Sequence, residues 1–198
     1  TGVVSAFRGY EGFPAVICSS VNNVAVHGVP SLTPLSQGDI IGIDFGVIHG
    51  GWYSDVAITV GVGRISQAAE NLIAVAREAM YIGIEQAKVG NYIGDISHAI
   101  QSYVEKQGLS VVRELVGHGV GKNLHEPPQV PNFGRAGSGE KILDGMVLAI
   151  EPIISQGTWR VKLSPNGFAY ETEDGSLVAH FEHTVAITTA GTEILTKV

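Results

Sequence analysis

The sequence predicts an α+β domain in which helices cover one face of a largely antiparallel sheet. Three observations predict it. Hydrophobic residues are 44% of the 198 positions and charged residues only 16%, a balance that excludes a disordered or coiled-coil chain and implies much buried sheet. Runs dense in β-branched residues, with Gly, Asn, Asp or Pro nearby, occupy both ends of the chain. Between them lie two stretches with helical spacing.

In chain order, strands are expected at residues 15–20 (AVICSS), 40–45 (IIGIDF) and 53–60 (YSDVAITV). After Ser66 the apolar positions Leu72, Val75, Ala76, Ala79 and Ile82 follow helical spacing, as do Ile96, Ile100, Tyr103 and Val104, with Gly90 and Asn91 between the two helices. Strands return at 111–116 (VVRELV), 146–150 (MVLAI) and 177–188 (LVAHFEHTVAIT). No linker, low-complexity tract or fixed-period repeat divides the chain, so residues 1–198 read as a single domain.

The formal charge of −7, with basic residues scattered singly, offers no footprint for nucleic acid or an anionic membrane. No apolar run approaches the roughly 18 residues that span a bilayer. Cys18 is the only cysteine, so an internal disulfide is impossible and a reducing, cytoplasmic setting is expected.

The chemistry lies in the acids and histidines. Asp44 and Asp55 sit in "IGIDFGVIHGGWYSDVAIT", which reads as a β-hairpin. A turn centred on His49 and Gly50 would set the two carboxylates directly opposite, with Cβ atoms about 5 Å apart. Like charges so close need neutralising, and a divalent cation does this. A solvated turn with one acid on each strand is the plainer alternative. Glu151 ends the strand "GMVLAIEP" and Glu182 interrupts "VAHFEHTVAI". A carboxylate in such strands is rarely left unpaired, because burying a lone charge costs several kcal/mol. Only Arg160 and Lys162 lie near Glu151 in sequence, which makes ion pairing the strained alternative to metal binding. With His118 the four acids make an oxygen and nitrogen donor set able to hold two divalent ions, while the lack of thiolates excludes a cysteine-type zinc site.

His118 and His125 stand in "ELVGHGVGKNLHEPPQVPN", too broken by glycine and proline to continue either a helix or a strand. The run lacks G-x-G-x-x-G spacing, and "EPPQVP" forbids the helix whose N-terminus would hold a phosphate. Alone, either histidine would be an ordinary loop residue. Beside the acids, ligation or catalysis is the better reading.

Taken together, "GYEGFPAVICSSVNNVAVHGVP", "GDIIGIDFG", "GGWYSDVAITVGVG", "VVRELVGHGVGKNLHEPPQVPNFG", "GMVLAIEPII" and "DGSLVAHFEHTVAIT" resemble type I methionine aminopeptidase, in the family's order and over most of the chain. The resemblance implies the pita-bread fold, an antiparallel sheet with helices outside and a dinuclear metal site inside. It implies Asp44, Asp55, His118, Glu151 and Glu182 as ligands of two divalent ions (Co, Mn, Fe or Zn), with Asp55 and Glu182 bridging. His27 and His125 match the catalytic histidines, His125 at the developing oxyanion and His27 at the scissile amide, with Glu151 as general base. Tyr10, Phe13, Cys18, His27 and Leu124 match the pocket for the methionine side chain. Phe168 stands where bacterial members often carry Trp, and Trp159 lies nine residues earlier. His180 stands where Gln is common and is expected to bear on the surroundings of Glu182.

The implied substrates are newly made polypeptides with N-terminal Met and a small second residue, with transient ribosome association. Relative to the family, the N-terminal helical segment is expected to be missing, and a monomer is expected unless another copy covers that gap. Proline-directed peptidases share the ligands but place an extra "HG" ahead of the glycine-flanked histidine, where this chain has "RELV". A binding module without activity would have lost ligands, and all five are present.

Overall fold

The computed structural model describes residues 2–197. Strands β1 (Val3–Ser5), β2 (Cys18–Val21) and β3 (Val24–Val26) precede the two longest, β4 (Ile40–His49) and β5 (Trp52–Gly61). Helices α1 (Gln67–Gln86) and α2 (Ile93–Lys106) follow. Short strands complete the chain: β6 (Ser110–Val111), β7 (Gly117–Gly119), β8 (Glu126–Val130), β9 (Val147–Ile150), β10 (Ile153–Ser155), β11 (Val161–Leu163), β12 (Tyr170–Thr172), β13 (Val178–His180), β14 (Glu182–Thr188) and β15 (Gly191–Ile194). A nine-stranded sheet runs β1-β4-β5-β14-β9-β7-β8, with β2 also on β4 and β15 on β14. Two three-stranded sheets, β13-β10-β6 and β11-β12-β3, adjoin it.

Both helices form where the spacing predicts. The Ser66 hydroxyl accepts from the Ala69 N–H at 3.1 Å and caps α1, and the Asp95 carboxylate accepts from the Tyr92 N–H at 2.7 Å at the start of α2. Their apolar stripes, including Leu72, Ala76 and Met80 of α1 and Ile96, Ile100 and Val104 of α2, bury against Leu148, Ile150, Val185 and Ile187 of the large sheet. No described helix is long and apolar enough to cross a membrane.

The hairpin register differs from the one the sequence suggests. His49 pairs with Trp52, so the turn residues are Gly50 and Gly51, with φ of 57° and 79°. Two successive positive φ values make the mirror-image turn that twisted hairpins favour, and glycine adopts them without a Cβ clash. A turn on His49 and Gly50 would have forced an imidazole-bearing residue into that conformation. The register therefore shifts by two, setting Asp44 opposite Ala57 and Asp55 opposite Gly46. Since side chains alternate with period two, both acids keep the same face and become diagonal neighbours.

Three strand expectations are also corrected. Despite its glycines and prolines, 114–132 carries β7 and β8, because β8 is the edge strand, where proline is tolerated. Of 111–116 only the first residue lies in a strand; beyond Val112, whose N–H reaches the Ile153 carbonyl at 2.9 Å, the chain turns away and Leu115 and Val116 line the central cavity. The 177–188 run breaks at Phe181: β13 pairs with β10, whereas β14 pairs with β5 and β9. Periodicity marks both halves as strand but is blind to a change of sheet.

Candidate metal centre

Two neighbouring rungs of the large sheet build the site. Asp44 and Glu182 both pair with Ala57, on opposite sides of it. In the next rung His118 and Thr184 both pair with Ala149. The Thr184 hydroxyl accepts from the Asp55 N–H at 2.9 Å and donates to the Asp55 carbonyl at 2.7 Å, which brings Asp55 beside that rung. Ala57, Ala149 and Thr184 are buried and small, so the side chains between them have room to converge. Glu151 directly follows Ile150, at the end of β9.

Glycines flank His118 because backbone crowds it. A Cβ at Gly117 would strike the Ala149 carbonyl and one at Gly119 the Pro127 carbonyl. The His118 Nδ1–H donates to the Gly119 carbonyl at 2.9 Å, since a carbonyl can only accept, and this leaves the Nε2 lone pair free for a metal.

Ligand atoms of Asp55, His118 and Glu182, all buried, lie within 4.8 Å of one another. Asp44 joins from the same face of the hairpin, diagonal to Asp55, and Glu151 Oε1 lies 3.4 Å from His118 Nε2. Among the described residues the only basic side chains within 4 Å of the Glu151 carboxylate are the imidazoles of His118 and His180, and neither Arg160 nor Lys162 reaches it. The ion-pair alternative therefore fails. Burial first, and then mutual repulsion, pushes Asp44 and Glu182 well above the usual carboxylate range. Burial, followed by the charge of Glu151, raises Asp55 to about 7, and burial raises Glu151 to about 7. Asp44 Oδ1 and Glu182 Oε1 are buried with no hydrogen-bond partner. Crowded, unneutralised carboxylates with orphaned oxygens beside an available imidazole nitrogen fit hard or borderline divalent ions.

The donors form the floor of a cavity of about 550 Å³, whose lining includes every ligand, histidine and pocket residue singled out from the sequence. Tyr10 and His125, 115 positions apart, share a hydrogen bond of 2.8 Å between the phenol oxygen and Nδ1. The His125 ring meets His118 edge-on at 4.3 Å between centroids. His27 has φ 56°, an uncommon conformation for a side chain of its size. The next residue is pinned to β2: the Gly28 N–H donates to Ser20 Oγ at 3.2 Å, and its carbonyl accepts from the Ser19 N–H at 2.7 Å. Desolvation by the cavity walls, then the neighbouring His180, lowers His27 to about 4, although the residue as a whole is exposed. The Cys18 thiol is pushed up by burial and then by the charge of Asp44, its partner across the β2–β4 pairing. Phe13 packs edge-on against Phe168 at 5.6 Å and Phe7 at 6.5 Å. Phe7 escaped the sequence reading because nothing local marks it.

Trp159 lies outside the cavity lining, stacked with Arg113 at 4.9 Å and Arg160 at 4.5 Å. His180 enters the cavity, but its polar contact is Glu151 at 3.5 Å rather than Glu182. The reason is the break at Phe181, which carries His180 into the sheet containing β10, opposite Ile153.

A sheet floored with carboxylates and imidazole, backed by helices, defines a class: the chain belongs to metallopeptidase family M24, whose sequence model matches residues 5–189. Its similar relatives narrow the class. The chain is 52% identical to a methionine aminopeptidase of Clostridium perfringens over 197 residues, 100% of this chain and 79% of that protein. It matches the crystal structure of a methionine aminopeptidase from Thermotoga maritima with TM-score 0.97 and 46% identity, covering 99% of this chain and 79% of that one. An X-Pro aminopeptidase from Thermotoga maritima shares the fold alone, at TM-score 0.72 and 22% identity over 93% of this chain and 47% of that one. The pita-bread architecture is the one observed.

Proposed function

We propose that this chain removes N-terminal methionine from polypeptides, preferring a small second residue, with two divalent ions held by Asp44, Asp55, His118, Glu151 and Glu182. The observation that carries this reading is the convergence of buried Asp55, His118 and Glu182 donors beside an apolar pocket. When bound, such ions lower the pKa of a water and polarise the substrate carbonyl.

The chain's own groups do the rest. Glu151, lining the cavity beside His118, takes the proton of the attacking water. Tyr10 donating its O–H to His125 Nδ1 keeps the imidazole proton on Nε2, from which His125 donates to the developing oxyanion. His27, its pKa lowered to about 4, stays neutral and contacts the scissile amide nitrogen. Phe7, Phe13, Cys18, Leu124 and Phe168 surround the methionine side chain, whose flexible thioether suits aromatic and sulfur neighbours. New polypeptides in a reducing cytoplasm, met at or after the ribosome, supply the substrate, consistent with the free, buried thiol of Cys18.

The test is metal content of the purified chain measured with Met-Ala-peptide cleavage. Loss of turnover on chelation, restored by Mn, Fe, Co or Zn, is expected, with Met-Ala cut faster than Leu-Ala. Full turnover of a metal-free sample would overturn the reading, and preference for X-Pro peptides would move the chain to the proline-directed branch.

A further inference from the structure

His180 is the buried polar side chain in this cavity that the reaction leaves without work. It is 4% exposed, and its Nε2 has no hydrogen-bond partner. Its backbone is clamped by Thr59, whose hydroxyl accepts from the His180 N–H at 2.9 Å and donates to the His180 carbonyl at 2.8 Å. That clamp fixes where residue 180 stands and asks nothing of its side chain.

The ring faces Glu151. His180 Nε2 lies 3.5 Å from Glu151 Oε2, and His118 Nε2 lies 3.4 Å from Oε1. The carboxylate thus lies between two imidazoles, with one oxygen nearest each. Only His118 belongs to the convergent donor group with Asp55 and Glu182, so His180 addresses the oxygen turned away from it. Glu151 lies just beyond β9, and its carbonyl accepts from Asn132 Nδ2 at 3.0 Å. Those contacts hold its backbone but not the final side-chain torsion, which is intrinsically broad for a carboxylate.

We propose that His180 is a positioning residue for Glu151: its Nε2–H donates to Oε2 and fixes the carboxylate rotation that presents Oε1 beside His118. This rests on the reading of Glu151 as a metal ligand and base. A partner that orients a ligand in this way bears on metal affinity as well as rate. An amide N–H reaching the same point would serve equally, whereas an apolar side chain of similar bulk would not.

Two substitutions, H180Q and H180L, separate donation from packing. Mn(II) is titrated calorimetrically into the metal-free chain, and kcat and KM are measured on a Met-Ala-Ser peptide. H180Q is expected to stay close to the unsubstituted chain. H180L is expected to bind Mn(II) about 10- to 100-fold more weakly and to lose kcat while KM changes little, because the methionine pocket is untouched. If Leu is not tolerated, H180N replaces it, since the shorter amide falls short of Oε2. H180L matching the unsubstituted chain would reduce His180 to filler. H180Q failing as fully as H180L would show that the ring itself, as a ligand, is what matters. Failure of the unsubstituted chain to bind Mn(II) would instead remove the two-ion reading beneath the proposal.

Discussion

The inner and outer faces of the β4–β5 hairpin invert the usual arrangement of an antiparallel sheet, in which apolar residues point inward and polar ones meet water. Inward, Asp44, Asp55 and Thr59 are 9%, 5% and 2% exposed. Outward, Phe45, Ile58 and Val60 are 44%, 45% and 39% exposed. Farther along the same sheet the outer face is closed, where Leu148, Ile150, Val185 and Ile187 meet α1 and α2. The difference teaches that alternation fixes which residues share a face, while burial is decided by what packs on that face. Here acids are buried on the side that carries the chemistry, and a metal explains how the fold tolerates them.

The largest expected effect breaks the inner face. Glu182→Gln replaces a proposed charged ligand with a neutral amide, so bound metal should fall to background by elemental analysis. Activity should drop by more than the roughly 100-fold that loss of an outer hydrogen-bond partner gives. Next come the histidines proposed to touch substrate rather than metal. In His27→Ala and His125→Ala, metal content should persist while kcat/KM falls about 100-fold or more. Parallel loss of metal and rate would show that they are ligands.

A smaller effect follows from protonation. Asp55 and Glu151 are raised to about 7 by burial, far above the roughly 4 of an unfolded carboxylate. Between those values the folded chain holds protons that the unfolded chain has released, so this stabilisation is lost as pH rises through 7. The histidines lowered to about 4, His27 and His180, act in the opposite sense, but only below about 6.5. Metal-free protein should therefore melt at lower temperature at pH 8 than at pH 6.5, and saturating Mn(II) should shrink that difference. A flat melting profile between those two pH values would contradict the buried-acid account. The smallest effect belongs to the outer face: Ile58→Thr should leave metal binding and kcat/KM unchanged and shift stability by only about 0.5 kcal/mol, measured by urea unfolding.

Much of the site was legible because its signals are local. Acids inside apolar strands, a glycine-flanked histidine and the order of the motifs mark Asp44, Asp55, His118, Glu151 and Glu182 without any structure. The helices were equally plain, since periodicity and the Ser66 cap lie within a few residues of one another. Register was not legible, because it turned on which two residues accept positive φ, and Gly50–Gly51 do so more easily than His49–Gly50.

By itself, then, the sequence determined which residues are candidates for the chemistry and which elements bear them, because spacing and side-chain type are properties of short stretches. Only the tertiary structure decided that Phe181 divides two sheets, that Tyr10 meets His125 across 115 positions, and that His180 turns to Glu151 instead of Glu182. Those contacts depend on how separate sheets close around one cavity, and no pattern within a single strand contains that information.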